Sequence, residues 1–548
     1  MLVLISNGDT REPRFQFGET SFLFNSQLIY GVNAETLSGD KQIRVDSAAF
    51  GWPIRSLADI KAGDYDVQAV LNRYDTFHLA DGRVLKLAPD RGEGKQWNLA
   101  PGNLYSKPIR VHLDPRMTEP VNLVLDQEIP PIPPQRDTEY IRSIRIKSER
   151  LSRFWGRPMY LTAHVLVPKG FDRHPNSRFP LLLSTGHFRD AEAIDNFRTT
   201  PPDPNVQPDP ANWNLSIDIG RTSYPNYELV AQEEGYEFYK KWTSENFPRF
   251  LIVEVDHANP YYDNSYGVNS ANLGPYDDAI NLELLPEVEK RFHAIGQSWA
   301  RFVYGVSAGG WIAMETQLFH PDEYNGVFAA CPAPLDFTGF FAINIYADPN
   351  AYVIQGRNHQ VERPGWRNFM GNVFATQRDL NYYELALGDH VRSGAFRDAF
   401  DAFFGPVGPD GYPKPLFDKL TGEIDRSVAM YWRDHFDLSY YLKTHWNEIG
   451  EKLKGKLHIY VGTSDSVYVD SGVYQAEKVL KSLLNPTADA DVEYSDKPLQ
   501  SEHCFVGQDQ DVPNYRADYQ VPLPYLPKIL ERIRATAPPG ADLKSWRY

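Results

Sequence analysis

The stretch RFVYGVSAGGWIAMETQLF, residues 301–319, constrains the chain more than any other. Phe302, Val303 and Tyr304 favour a strand, and after Gly310 the residues Ile312, Thr316 and Phe319 recur at helical spacing until Pro321 closes the run. Between them Gly305-Val306-Ser307-Ala308-Gly309 must be a sharp strand-to-helix turn with the pattern G-x-S-x-G. In such a turn the serine is forced into a strained backbone at the end of a strand. The glycines keep side chains out of the crowded bend, and the helix N-terminus behind it favours developing negative charge. A glycine-rich turn with an incidental serine is the plain alternative, but the strand before and the helix after favour Ser307 as a nucleophile.

A serine hydroxyl attacks only when a base takes its proton and a third group orients that base. In α/β-hydrolases these follow in the order serine, acid, histidine. Downstream of Ser307, Leu457 to Val461 reads as a strand, and Gly462-Thr463-Ser464-Asp465 follows at its end. Asp465 is therefore expected to be the orienting acid, with Asp470 as the second candidate. His503 is the only histidine after Asp465, with room for one helix and one strand between them, so it is the expected base. The oxyanion of an acyl transfer needs backbone donors, one of them from the residue after the nucleophile, Ala308. The apolar run Pro180 to Leu183 leads through Ser184, Thr185 and Gly186 to His187 and Phe188, either of which can supply the second N–H. His187 can equally contact substrate or fill the pocket wall.

Two parts of different character flank a proline-rich segment. Residues 1–127 alternate apolar and polar residues over 64–71, 109–113 and 121–125, without helical runs between them. An all-β sandwich is expected there. From Glu128 to Pro134 four prolines rule out a central strand or helix, so 128–136 is read as a stiff linker. Beyond it, over 137–548, strand-like runs at 141–147, 159–167, 179–184, 249–255, 300–304, 325–330 and 456–461 alternate with helical stretches. The segment 279–292 is a helix candidate that Pro286 should kink. This alternation predicts an α/β sheet covered on both faces. The segments 190–245 and 335–430 fit no strand–helix repeat and are candidate lids.

Composition excludes several classes. A net charge of −16 argues against nucleic acid, since phosphate binding needs clustered Lys and Arg. No apolar run is long enough for a membrane span. The sequence as given opens without the basic and apolar regions of a signal peptide, and the compartment stays open. No CxxC or HExxH spacing suggests zinc, so neither metal nor cofactor is expected.

The run Gly305 to Gly310, the segment Asn272 to Ile280, the Gly462 to Asp465 loop and His503-Cys504 together resemble one esterase branch of the α/β-hydrolases. That branch includes esterase D, feruloyl esterases and siderophore (enterochelin) esterases, some of them with an N-terminal sandwich domain. The resemblance covers about residues 140–520 and implies an α/β-hydrolase fold with large insertions and a Ser307–His503–Asp465 triad. Where the branch usually carries His-Gly before the oxyanion loop, this chain has Thr185-Gly186. In this light Cys331 and Cys504 become possible neighbours behind the pocket, either as a disulfide or as two buried thiols. The function expected is a metal-free serine esterase acting on a small-molecule or carbohydrate-linked ester. An acyltransferase with the same triad, or a binding protein on the same scaffold, is the alternative; oligomeric state is not legible. Aromatics in 335–430 (Phe340, Tyr346, Tyr352, Trp366, Phe369) can either face such a substrate or form a helical core.

Overall fold

Seven of the eight strands in the central sheet come from runs rich in Leu, Ile, Val and Phe. They are β1 (Ile141–Ser148), β2 (Met159–Leu166), β3 (Leu181–Thr185), β4 (Leu251–Asp256), β5 (Arg301–Val306), β6 (Val327–Ala330) and β7 (Leu457–Gly462). The eighth, β8 (Ala490–Ser495), is a half-exposed edge strand in which Asp491 and Glu493 break up the apolar pattern. The computed structural model describes residues 1–8, 12–16, 27–34, 42–90, 96–133, 136–186, 194, 197–208, 226–261, 264–368, 370–495, 503–504 and 522–548.

The strand order is β1-β2-β4-β3-β5-β6-β7-β8. β1 and β2 run antiparallel to their neighbours, and the strands from β4 to β8 are parallel. The central strands are buried on both faces, which explains why they read as continuous apolar runs rather than as alternations. Register then decides what meets at the top of the sheet. Thr185 lies opposite Gly305, Val306 opposite Ala330, and Ala330 opposite Tyr460. Parallel strands therefore release Gly186, Ser307, Cys331 and the loop after Gly462 side by side at their carboxyl ends, where open α/β sheets bind ligands.

The helices include α1 (Tyr227–Trp242) and α2 (Ala308–Phe319), the latter buried from Ala308 through Leu318 against β3, β5 and β6. The expected helix around Pro286 begins at Tyr276 and runs through a π segment, Ile280–Leu284, into Leu285–Arg291. Proline has no N–H to give its preceding turn, and the widened π turn lies directly before it.

The N-terminal region is β-rich as expected. Its main sheet has seven strands, among them Leu2–Ser6, Leu28–Gly31, Phe50–Trp52, Gly63–Leu71 and Ile109–Leu113, paired antiparallel. Residues 121–125 keep their alternating burial but join no ladder; Val121 and Leu123 only pack against the sheet's apolar face. A hairpin, Asp75–His78 with Val84–Leu87, leaves this region and enters the core around the central sheet, where the Phe77 ring meets Trp155 at 5.5 Å.

Within 335–430 lie α3 (Gln377–Leu387), α4 (Phe396–Phe404) and two short hairpins, and α5 (Arg426–Phe436) begins at its end. Helix α3 packs against the N-terminal strands: Trp52 meets Tyr383 edge-on at 5.2 Å, and Phe50 meets Tyr382 at 5.6 Å. A side chain at Gly31 would strike the Ala386 carbonyl oxygen at 2.0 Å, so glycine permits this close approach. The aromatics of the segment are largely interior. Phe340, Phe400, Phe404 and Trp432 interlock, and Phe404 reaches Trp311 of α2 at 5.0 Å. Phe340 and Tyr352 are buried, which assigns them to a core rather than to a substrate face; Phe369 lies outside the described residues.

Candidate active site

Ser307 holds φ 56° and ψ −120°, a backbone conformation that L residues rarely adopt. Its neighbours explain how the chain tolerates it. A Cβ on Gly305 would lie 2.2 Å from the Gly309 carbonyl oxygen, and one on Gly309 would lie 2.1 Å from that of Thr185. A Cβ on Gly310 would meet the Ala330 oxygen and the Pro332 Cα at 2.9 Å each. Every glycine of the turn is therefore required by backbone packed against backbone. The Ser307 N–H donates to the Ala330 oxygen at 3.0 Å, and its carbonyl accepts from Ala333 N–H at 2.9 Å. The Thr185 hydroxyl lies 2.7 Å from the Gly309 oxygen and 3.0 Å from the Tyr304 oxygen, pinning β3 to the turn. Asn264 Nδ2 donates to the Gly186 oxygen at 3.0 Å.

Three of the residues named from sequence meet here. His503 Nε2 is 2.9 Å from Ser307 Oγ, and His503 Nδ1 is 2.6 Å from Asp465 Oδ2. The Asp465 side chain is wholly buried, and its Oδ1 accepts the N–H groups of Val467 at 2.9 Å and Val469 at 3.3 Å. Burial with three hydrogen bonds leaves that carboxyl one orientation. Asp470, the second candidate acid, opens helix α6 (Asp470–Ser482) and pairs instead with Arg367, at 3.2 Å. Burial and the nearby Asp465 charge push its carboxyl up to about 7, against the lowering effect of Arg367.

Cys331 and Cys504 are joined in a disulfide, with Cα atoms 5.1 Å apart and 173 residues between them in sequence. The bond ties the residue after His503 to the end of β6, one position beyond the Ala330 that receives the Ser307 N–H. Cys331, His503 and Cys504 also form a cluster of potential metal ligands, but the sulfurs are bonded to each other and both ring nitrogens have partners. Ala308 is the first residue of α2, so its N–H belongs to the turn that has no acceptor within the helix. His187 and Phe188 lie outside the described residues. Sequence reasoning missed Asn264 and Arg367. A lone asparagine in a loop and a lone arginine in an insertion carry no local signal, because their partners are distant in sequence.

Comparison with known proteins adds a family. The sequence model described as Putative esterase matches residues 237–483, a span that includes Ser307 and Asp465 and stops short of His503. No curated protein matches. Among solved structures, a ferulic acid esterase is 13% identical, with 66% of this chain and 90% of that one covered and a TM-score of 0.34. An S-formylglutathione hydrolase from Agrobacterium tumefaciens is 13% identical over 73% of this chain and 98% of its own, with a TM-score of 0.34. An IroE-like serine hydrolase from Shewanella oneidensis is 10% identical, covering 65% and 73%, with a TM-score of 0.29. The family match bears out the resemblance read from the sequence and, over the residues it spans, supports an esterase enzyme.

Proposed function

We propose that the chain is a serine-dependent carboxylic ester hydrolase that works through an acyl-enzyme. The observation that carries this reading is the hydrogen-bonded chain Ser307–His503–Asp465 at the strained turn, inside a sequence related to esterases. With its Nδ1–H donated to Asp465, the imidazole keeps Nε2 as the acceptor for the serine proton. Ser307 Oγ attacks the ester carbonyl carbon while its proton passes to His503, and the tetrahedral oxyanion receives the Ala308 N–H. The second donor is assigned to His187 or Phe188, which follow Gly186 at the end of β3 in sequence. Collapse expels the alcohol, which takes the proton from His503. Water then repeats the sequence on the acyl-enzyme, releasing the acid and restoring Ser307.

The substrate proposed is a small-molecule or carbohydrate-linked ester. The test is labelling by a fluorophosphonate probe together with turnover of aryl acetate, acetyl-sugar, feruloyl and peptide substrates. Ser307→Ala should abolish labelling and lower turnover about a millionfold. A variant within tenfold of the parent, or faster cleavage of peptides than of every ester, overturns the reading.

A further inference from the structure

Arg367 belongs to the short hairpin Pro364–Arg367 with Val373–Thr376, far in sequence from Ser307 and His503, yet it reaches the loop of the proposed acid. Its Nε donates to the Asp465 carbonyl oxygen at 3.0 Å, and its terminal nitrogen donates to Asp470 Oδ2 at 3.2 Å. Its backbone N–H donates to the Ser466 oxygen at 2.9 Å, and its guanidinium lies over the Tyr468 ring at 4.1 Å. Four residues of one short segment, Asp465, Ser466, Tyr468 and Asp470, thus converge on Arg367. The same segment has two aspartates five positions apart, Asp465 in the loop and Asp470 at the start of α6, and only one of them can serve a single imidazole.

We infer that Arg367 is a positioning residue for the triad acid: it binds the Asp465 main chain, engages the Asp470 carboxylate and thereby leaves Asp465 to orient His503. The inference rests on the triad reading above. A planar fork suits the task, because two donors at a fixed angle meet a carbonyl and a carboxylate together while the face stacks on Tyr468. Without it, Asp470 would lose its one cationic partner among the described ion pairs, and the Asp465 backbone would lose a restraint beside the residues that cap its side chain. Misplacing a catalytic group by an ångström costs about a hundredfold in rate, whereas ground-state binding of a substrate held elsewhere changes little.

The test uses the full chain and an aryl acetate, with Ser307→Ala as the control. Arg367→Gln should lower kcat about ten- to a hundredfold and leave KM within about threefold. Arg367→Lys should recover part of kcat, since an ammonium keeps the charge and one of the two contacts but not the fork or the stack. The rate of fluorophosphonate labelling should fall in step with kcat. A kcat within twofold of the parent in Arg367→Gln overturns the inference. If that variant does not fold, Arg367→Lys decides: lowered kcat with KM kept supports the inference, and a parental kcat overturns it. Activity retained by Ser307→Ala would instead bring down the triad reading, so the two failures are told apart.

Discussion

The turn at Ser307 and the turn at His503-Cys504 are held in place in opposite ways. Around Ser307 the backbone is held by contacts with adjacent strands and by glycines within three residues of it. His503 is held by Asp465 and by a disulfide that begins at Cys331, 173 residues from Cys504. The first device stores strain locally, and the packing of β3, β5 and β6 sustains it. The second imports its restraint across the fold. A local device is written in the spacing of neighbouring residues, whereas an imported one exists only once the chain has folded.

Breaking the comparison on the side of His503 should have the largest effect. Asp465→Asn keeps the shape but changes what the side chain offers Nδ1, and turnover should fall about ten-thousandfold. A fall of less than tenfold would show that His503 does not depend on Asp465. On the side of Ser307, Gly309→Ala pushes a methyl group into the Thr185 and Gly186 backbone, where nothing flexible can yield. The cost is about 3 kcal/mol of stability, read as a lower thermal midpoint; an unchanged midpoint would contradict the close packing. The double variant Cys331→Ala/Cys504→Ala should show the smallest effect. Asp465 still holds the imidazole, so the competent arrangement falls to a fraction of the population and kcat drops about tenfold with KM little changed. Reducing the parent protein should reproduce that drop, while the same reductant should leave the double variant unaffected.

Much of the site could be read directly because its parts are local. Gly305 to Gly310 announces the turn, the apolar runs announce seven strands, and a single histidine follows Asp465. Hidden features share a different physics. β8 is a six-residue edge strand in which Asp491 and Glu493 alternate with Ala490, Val492 and Tyr494, so it lacks the continuous apolar run of the other strands, and 121–125 has the alternation but finds no ladder partner. Phe340 and Tyr352 look the same in sequence whether they face a sugar or a core, and only their packing decides. Arg367 is recognisable only after the hairpin that bears it has come to rest beside Asp465.

Helix α3 lies between distant parts of the chain. On one side Gly31 admits its backbone against the N-terminal strands; on the other, Leu380 packs with Trp366 and Ala375 of the hairpin that carries Arg367. The first part of the chain is therefore a foundation and not an ornament. A transplanted catalytic unit would need to bring this sheet with it, or supply another surface for Tyr382 and Tyr383 to lean on. The position of one carboxylate is then inherited, contact by contact, from strands at the opposite end of the sequence.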